Sequence, residues 1–386
     1  MSRMPLHLVA TCALGLEEFL VTELTQLGAG RVKAERAAVS FAGSWRDVMR
    51  ANLRLRTANR VLVELGGWAA ASDEALEAGA AALVGGSRNW GGVPAGELFH
   101  PKRSFAIRAT SSASKLTDRR WVALKVKDGL VDAQRKRFGQ RADVERNEPD
   151  LQLRVRLHQD RATLLLDTSG DPLDRRGYRL ENVAAPLREQ LAAACVLAAE
   201  WDGRGPVVDP MCGTGTLLAE AAGYALGLAP GRLRESWAFE RLPGFERAEW
   251  KAVQAETVPR PPREGTDLRL FGVDISRDAV QAARKNLETA GLGNRAEIRP
   301  GDAYDYEPPA GPGLLLINPP YGERLEASRD EWRRLGDLMK QRYSGYTAVV
   351  IAGGPGLGKQ IGLKPRRRIP AYNGPIEVRI LPFDLY

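Results

Sequence analysis

The chain has 386 residues, of which 44% are hydrophobic and 27% are charged, a composition typical of a globular protein with two or three domains. It has no apolar run of about 18 residues and no apolar N-terminal block, so we expect neither a membrane span nor a signal peptide. The three cysteines lie far apart, as in a reduced cytoplasmic protein, and no histidine follows His158, so we predict no disulfide framework and no metal site.

The net charge of +8 comes almost entirely from the first part of the chain. Residues 1–170 contain 26 basic and 19 acidic side chains, whereas residues 171–386 contain 30 and 29. The excess is greatest in residues 101–150, with 13 basic and 7 acidic side chains. This asymmetry indicates a polyanionic partner for the first part, although a solvated charged surface would produce the same counts.

Residues 1–65 show the β-α-β-α-β pattern of a ferredoxin-like α+β domain. Short strands are predicted at 7–12, 32–41 and 61–65, with helices between them. Ser44 is the predicted N-cap of the second helix. No residue in this segment is a candidate for catalysis.

Residues 66–170 form the second predicted unit. A strand at 105–109 leads into a Ser/Thr-rich loop, a helix over about 118–138 and a β-hairpin. The helix combines apolar positions, among them Trp121 and Leu124, with a basic face.

This order resembles the THUMP domain of RNA-modifying enzymes. The resemblance is strongest in S-K-L-T-D-R-R-W-V-A-L-K-V-K-D and R-A-T-L-L-L-D-T-S-G. It implies an RNA-binding domain without catalytic residues. The predicted RNA contacts are the basic residues of the loop and helix, namely Lys115, Arg119, Arg120, Lys125, Lys127 and Lys136.

Residues 171–186 are polar and rich in arginine, so we predict a linker into a last domain over residues 187–386. Strands and helices alternate regularly in this domain, which predicts a parallel sheet. The last two strands meet at Asn-Gly-Pro, residues 373–375, so one of them runs antiparallel. This arrangement is typical of a Rossmann-like class I methyltransferase domain. An insertion at 231–266 contains two tryptophans that either cap the sheet or contact RNA.

Acidic and amide side chains follow four of the predicted strands, at the sheet edge where a doubly wound fold binds its ligand. Asp209 opens a turn with Gly213 and Gly215, whose missing side chains allow a ligand close to the backbone. The other three strand-end residues are Asp274, Asp302 and Asn318. Asp274 is placed to accept hydrogen bonds from ribose hydroxyls, and Asp302 is placed to accept one from an adenine amino group. A dinucleotide is disfavoured because Leu218 replaces the third glycine of G-x-G-x-x-G.

The fourth feature is Asn-Pro-Pro-Tyr at residues 318–321, a signature of S-adenosylmethionine (SAM) enzymes that methylate exocyclic amines of bases. The Asn318 side chain and the Pro319 carbonyl can accept the two N–H bonds of such an amine and direct its lone pair at the methyl group. Prolines hold that carbonyl in place, and Tyr321 offers a face on which a flipped base can stack.

Two other chemistries are disfavoured. The segment G-G-P-G-L-G-K-Q at 353–360 resembles a P-loop, but Gln360 replaces the Mg²⁺-binding hydroxyl, so we predict a tight turn. Methylation of a pyrimidine ring carbon needs a cysteine nucleophile, and no cysteine follows Cys212. Cys212 is predicted to pack beside the cofactor.

From Phe105 to the C-terminus the chain resembles the bacterial 23S ribosomal RNA guanine N(2)-methyltransferase family. The motifs are R-R-G-Y-R (175–179), A-P-L-R-E (185–189), D-P-M-C-G-T-G-T-L-L-A-E-A-A (209–222), N-P-P-Y-G-E-R-L (318–325) and Y-N-G-P-I-E (372–377). The resemblance implies SAM as cofactor and the 2-amino group of a guanine as target. It implies a cofactor site of Asp209, Pro210, Gly213, Gly215, Asp274, Ile275, Asp302, Ala303 and Asn318, and a guanine site of Asn318, Pro319, Pro320 and Tyr321.

Some members of that family carry a second methyltransferase domain, and this chain ends at Tyr386 without one, so we expect a single modification. A tRNA guanine N(2)-methyltransferase remains the alternative, and a non-catalytic RNA-binding ribosome-assembly factor is a third hypothesis. DNA adenine methyltransferases share the Asn-Pro-Pro-Tyr motif, but the THUMP-like region favours RNA. The sequence makes no prediction of oligomeric state.

Overall fold

The chain folds into two seven-stranded sheets with helices packed on them. The computed structural model describes residues 5–145, 147–180, 187–256, 268–320, 329–354 and 356–386. The strands are β1 (Leu6–Cys12), β2 (Gly30–Glu35), β3 (Ala38–Gly43), β4 (Ala58–Ala69), β5 (Asn89–Trp90), β6 (Val93–Pro94), β7 (Phe105–Ser112), β8 (Leu151–His158), β9 (Arg161–Asp167), β10 (Val207–Asp209), β11 (Leu270–Asp274), β12 (Ala296–Pro300), β13 (Leu314–Ile317), β14 (Thr347–Gly353), β15 (Ile369–Asn373) and β16 (Ile376–Asp384). The helices are α1 (Glu17–Gln26), α2 (Trp45–Arg54), α3 (Asp73–Gly85), α4 (Ala95–Leu98), α5 (Arg119–Phe138), α6 (Glu189–Ala198), α7 (Thr216–Ala225), α8 (Arg247–Ala255), α9 (Arg277–Thr289) and α10 (Arg329–Arg342).

The first sheet unites the predicted ferredoxin-like segment and the segment after it. Its strand order is β2-β3-β1-β4-β9-β8-β7, and β7 and β8 form its parallel pair. Strand β4 extends to Ala69 and pairs along its length with β9, so that Leu62 lies opposite Asp167 and Ala69 opposite Arg161. The boundary predicted at residue 65 therefore lies inside a strand that both segments share.

The strand predicted at 32–41 is a hairpin of β2 and β3. Ala37 has a φ of 57° in the left-handed region, and the chain reverses there. The sequence around Ala37 has no Gly or Pro to signal a turn, so the single strand was the wrong prediction. Ser44 caps α2 as predicted, because Asp47 and Ser44 form a capping box in which the Ser44 amide donates to the Asp47 carboxylate at 2.8 Å.

Helix α5 packs beside α3. Fewer of its apolar residues are buried than the sequence pattern predicts. Val122 and Val126 are fully buried, whereas Trp121 is 43% and Leu124 39% exposed. The helices approach most closely at Gly129, where a Cβ atom would lie 2.2 Å from a backbone carbonyl oxygen of α3. Glycine is required there because only its missing side chain permits this approach.

The second sheet confirms the predicted methyltransferase-type topology. Its order is β12-β11-β10-β13-β14-β16-β15, and β16 runs antiparallel to both of its neighbours. Helices α6, α7 and α9 contribute to the core on one face, while Trp332 and Met339 of α10 are buried on the other. Strands such as L-L-L-I of β13 are apolar at every position because both faces of the sheet are covered.

The predicted insertion packs on the first domain. Trp237 and Trp250 are each 3% exposed and meet edge to face, with ring centroids 5.9 Å apart. Glu256 after α8 accepts hydrogen bonds of 2.7 Å from Arg50 and Arg46 of α2. The bonds from Arg50, and then Arg46, lower the pKa of Glu256 to about 2. The two tryptophans therefore belong to the core between the domains; the end of the insertion lies outside the described residues.

Residues 171–180 of the predicted linker are packed against the second domain. Arg176 is 2% exposed, and its Nε atom lies 3.1 Å from Oε1 of Glu220 in α7. Arg176 also donates to the backbone carbonyl of Arg56, which in turn donates to the carbonyl oxygen of Gly223 at 2.9 Å. Two buried arginines thus connect the first domain to α7.

We expect Arg176→Ala to lower the free energy of unfolding by about 3 kcal/mol, because it leaves the buried Glu220 carboxylate without its nearest cation. Arg56 stays 3.8 Å from that carboxylate. Urea unfolding at neutral pH measures the change. Arg175 is the matched control: its side chain is 71% exposed, and its replacement by alanine should change stability by no more than about 0.5 kcal/mol. Equal losses in the two variants would contradict the role of the buried pair.

Candidate active site

A cavity of about 450 Å³ opens at the carboxyl ends of the parallel strands of the second sheet. This is the edge at which doubly wound sheets bind their ligands. Nine of the residues predicted from the sequence line it: Asp209, Pro210, Gly213, Asp274, Ile275, Asp302, Ala303, Asn318 and Pro320. The structure therefore brings together side chains that are as much as 111 residues apart in the sequence, from Asp209 to Pro320.

Asp209 shapes the turn that begins the site. Its side chain is 1% exposed, and it accepts a hydrogen bond of 3.2 Å from the backbone amide of Met211. Burial raises the pKa of Asp209 well above its ordinary value, and the charge of Asp274 raises it further. The carboxyl group is therefore stabilised in its neutral form, and its evident role is to hold the turn.

Asp274 is fixed at the rim of the cavity by two backbone amides. Its Oδ2 atom accepts from Gly213 at 2.8 Å, and its Oδ1 atom accepts from Ser276 at 2.9 Å. Each carboxylate oxygen keeps a further acceptor position. A Cβ atom built on Gly213 would meet no protein atom within 4 Å. The arrangement suits a diol such as ribose, held beside an open stretch of backbone.

Ile275 and Asp302 supply an apolar surface and a polar acceptor next to Asp274. The Ile275 side chain is 82% exposed, which is unusual for an isoleucine and leaves room for a planar ring. Asp302 accepts the backbone amide of Tyr304 with its Oδ1 atom at 2.9 Å, so the side chain is oriented. Together they match the face and the amino group of an adenine.

Asn318 carries the clearest sign of a missing partner. Its Oδ1 atom is buried, and no donor among the described residues reaches it. An unsatisfied buried acceptor costs about 1–3 kcal/mol, a cost that a ligand N–H would remove. Pro319 behind it is buried and does not line the cavity, whereas Pro320 does. Tyr321 lies outside the described residues.

Gly215 and Cys212 act through packing. Gly215 is the left-handed N-cap of α7, and a Cβ atom there would lie 3.3 Å from Cβ of Ala283 in α9. Gly215 is not among the described residues that line the cavity, and its contact with the cofactor stays a prediction. Cys212 lines the cavity but is 5% exposed, and burial raises the pKa of its thiol well above the ordinary value. It is unsuited to act as a nucleophile.

Arg179 is a supporting residue that the sequence analysis did not assign to the site. It donates 2.8 Å hydrogen bonds to Oγ1 of Thr216 and to the carbonyl oxygen of Leu187, and both of these residues line the cavity. Its Nε atom lies 2.9 Å from Glu189. The available signal was the R-R-G-Y-R motif, but nothing in its composition distinguishes a buried arginine from one in a linker.

The predicted RNA contacts divide into two groups. Lys125 lies 2.9 Å from Glu77 and 4.9 Å from the ring centroid of Trp121, and Lys127 lies 2.8 Å from Asp128. The other four are exposed, with no side-chain partner in the part of the chain that the structure describes: Lys115, Arg119, Arg120 and Lys136. Those four are therefore the better candidates for phosphate contacts.

Within the described residues, no cluster of His, Cys, Asp and Glu is arranged to hold a metal ion. No helix in those same ranges combines the length and the apolar character that crossing a bilayer requires.

Two relatives cover nearly the whole chain. A protein of Synechocystis sp., provisionally named as an RNA methyltransferase, is 36% identical over 98% of this chain and 96% of its own length. A ribosomal RNA large subunit methyltransferase K/L of Syntrophotalea carbinolica is 38% identical over 99% of this chain. The match covers 54% of that relative, so the chain spans about half the length of the K/L proteins.

Two solved structures share the complete architecture. One is of SMU.472, provisionally named as a methyltransferase and complexed with SAH, with a TM-score of 0.87, 28% identity and 99% coverage of each chain. The other is from Listeria monocytogenes and is named as an N6-adenine-specific DNA methylase by prediction. It has a TM-score of 0.85 and 28% identity, and the match covers 99% of this chain and 97% of the other.

Three family profiles account for most of the chain. They are described as the RlmL ferredoxin-like domain, matching residues 7–62, the THUMP domain, matching residues 92–167, and the RMKL-like methyltransferase domain, matching residues 176–381. The last match alone spans more than half of the sequence. The chain therefore belongs to the RMKL-like methyltransferase family, with a ferredoxin-like and a THUMP domain preceding its methyltransferase domain.

Proposed function

We propose that the protein transfers a methyl group from SAM to the exocyclic 2-amino group of a guanine in 23S rRNA. The observation that carries the proposal is the buried Oδ1 atom of Asn318, an acceptor without a donor among the described residues, at the wall of a methyltransferase cavity. The THUMP domain and the K/L relatives support RNA as the substrate. The family, together with the hydrogen-bond acceptors and the apolar surface that line the cavity, supports SAM as the cofactor.

The cavity residues have distinct roles toward that cofactor. Asp274 would accept from the ribose hydroxyls, Ile275 would lie on the adenine, Asp302 would accept from its amino group, and Gly213 would leave space for the bound group. When bound, SAM supplies an electrophilic methyl group that an amine can take directly. A covalent enzyme intermediate is unnecessary, which agrees with the buried, protonated Cys212 thiol.

The Asn318 side chain and the Pro319 carbonyl would orient the guanine amine by accepting hydrogen bonds from its two N–H groups. This withdraws the nitrogen lone pair from the ring and turns it toward the methyl group. Proline at 319 and 320 restricts the backbone that carries this carbonyl. The same acceptors would hold the amine proton until it leaves to solvent.

The test is methyl transfer with isotopically labelled SAM to 23S rRNA and to tRNA, both from a strain lacking the gene. Nucleoside mass spectrometry then identifies the product. N(2)-methylguanosine in 23S rRNA alone is the expected result. Label in tRNA alone would favour the tRNA enzyme, methyladenine would exclude the guanine assignment, and transfer to no nucleic acid would favour a non-catalytic RNA-binding protein.

Arg119→Glu and, separately, Arg120→Glu should each weaken RNA binding roughly fivefold and reduce the slope of log K against log salt by about 1. Both residues are exposed in the first turn of α5, where a glutamate favours the helix, so folding should be retained. Filter binding across a salt series measures both quantities. Lys251→Glu is the control, because it makes the same charge change at an exposed position of α8. An unchanged slope in both arginine variants would show that this end of α5 does not contact phosphate.

A further inference from the structure

Residues of two sequence motifs meet at one place in the fold, outside the active-site cavity. Arg188, from A-P-L-R-E, donates its backbone N–H to Oδ1 of Asn373, from Y-N-G-P-I-E, at 3.3 Å. A Cβ atom on Gly374 would lie 3.9 Å from Nη2 of Arg188. The start of the second domain and its last hairpin, β15–β16, are thereby joined across 185 residues of sequence.

A cleft of about 630 Å³ lies where these motifs face the first domain. Its polar lining consists of Arg36, Asn59, Arg188, Gln190 and Tyr372. The two domains touch beside it, since a Cβ atom on Gly15 would lie 1.9 Å from the carbonyl oxygen of Pro370. The walls of the cleft are therefore set by the packing of two folded domains.

Gln190 is the unusual residue of this cleft. Its side chain is 1% exposed, and no donor among the described residues reaches its Oε1 atom. Burying an amide oxygen without a donor is unfavourable, so the position suits a ligand that brings an N–H or O–H group. Base edges and ribose hydroxyls both do so.

The charges of the cleft suit an anion. No acidic residue is among the described residues that line it. Arg36 is exposed, and no described carboxylate lies within 4.0 Å of it, while Arg188 is half exposed with Asp174 at 3.4 Å. The half-buried ring of Tyr372 adds an aromatic surface. Guanidinium groups, an aromatic face and a buried amide acceptor together match the phosphate, face and edge of one nucleotide.

The lining of the cleft and the lining of the active-site cavity are adjacent along the chain. A third cleft runs along residues 171–179. Leu187 lines both this third cleft and the active-site cavity, and Arg188 lines both the third cleft and the interdomain cleft. The methyl-transfer site and the interdomain cleft are therefore lined by two residues, Leu187 and Arg188, that are consecutive in the chain. An RNA strand with its target base in the cavity has neighbouring nucleotides within reach of Arg188.

We propose that the interdomain cleft binds a nucleotide of the substrate RNA that flanks the methylated base. Arg36 and Arg188 contact its phosphate, Tyr372 stacks on its base, and Gln190 accepts from its edge. This inference rests on the proposed function for the presence of RNA. It adds a site in which the first domain, through Arg36, takes part in substrate choice.

The charge contact is tested with Arg36→Ala against Lys33→Ala. Both residues are exposed on the β2–β3 hairpin, but only Arg36 lines the cleft. We expect Arg36→Ala to raise KM for the RNA roughly fivefold, with a smaller change in kcat, and Lys33→Ala to leave KM within about twofold. Equal effects of the two variants would mean that only the overall electrostatic field of the protein attracts the RNA, and would overturn the proposal.

The base contact is tested with Tyr372→Ala and Tyr372→Phe. Loss of the ring should raise KM roughly tenfold, and phenylalanine should restore it because the stacking face is kept. Ultraviolet crosslinking of 5-bromouridine-substituted RNA, mapped by mass spectrometry, should place a crosslink on Tyr372. Normal KM in the alanine variant, or crosslinks only elsewhere, would overturn the proposal.

These assays use whichever RNA the wild-type protein methylates, so a tRNA substrate changes the proposed function and leaves the cleft testable. If the wild-type protein methylates no RNA, the proposed function fails, and filter binding replaces KM. Weaker binding by Arg36→Ala and Tyr372→Ala, but not by Lys33→Ala, would then still support the cleft. Binding equal to wild type in all three variants would overturn it.

Discussion

Asn318→Ala should lower kcat for methyl transfer roughly 10³-fold, because the variant loses the acceptor that orients the amine in the transition state. The residue follows directly on the buried strand β13, and its Oδ1 atom has no donor within the described structure. Alanine removes a buried acceptor without creating an unpaired one, so the folded protein should remain stable. Single-turnover measurement with saturating SAM isolates this step.

The control for this variant is Asn294→Ala, which makes the same change at an exposed position between α9 and β12. It should leave kcat within about twofold. Calorimetric titration with SAH should show that the Asn318 variant keeps most of its affinity for the cofactor product. A normal kcat in Asn318→Ala would remove the amine-positioning role, and loss of SAH binding would reassign the residue to the cofactor.

Asp274→Ala should weaken SAM binding by about two orders of magnitude, because two charge-assisted hydrogen bonds to ribose are lost together. The carboxylate also accepts the amides of Gly213 and Ser276 at 2.8 and 2.9 Å, so its loss releases the turn that shapes the cavity. Titration calorimetry with SAM and SAH measures the affinity directly. The effect should fall on cofactor affinity, while RNA binding by the THUMP region persists.

Asp278→Ala is the matched control for Asp274. It lies four residues later, is exposed in the first turn of α9, and removes the same charge. Its effect on SAM affinity should stay within about threefold, because the charge of an exposed side chain is screened by water and salt. If the two variants lose affinity equally, general electrostatics rather than the ribose contact would account for the result.

The lining of the cavity was predictable because it follows local rules. Asp209, Asp274 and Asn318 each end a short apolar strand, and parallel strands present their carboxyl ends at one edge. Gly213 lines the cavity as expected. Gly215 does not, because whether a glycine serves a ligand or a neighbouring helix depends on what packs above it, here Ala283 of α9.

The basic helix α5 was less predictable. Trp121 and Leu124 fit the apolar pattern of α5 and yet are exposed, because the buried face of the helix carries Val122, Val126 and Gly129 instead. Lys125 was grouped with free cations but is paired with Glu77, 48 residues earlier. Helical spacing identifies which residues share a face, but the partner of that face comes from elsewhere in the chain.

By itself the sequence determined the order of domains, the parallel sheet with its antiparallel last hairpin, and the strand-end residues that line the cavity, because strand periodicity and turn residues act over short distances. Tertiary structure alone decided which charges are buried and which remain free. The pairs Arg176–Glu220 and Arg179–Glu189 arise only when distant elements meet, as does the buried Oε1 atom of Gln190, which no donor among the described residues reaches. Desolvation depends on those neighbours and not on residue type, so the junction of the domains, and the cleft beside it, could not be seen in the sequence.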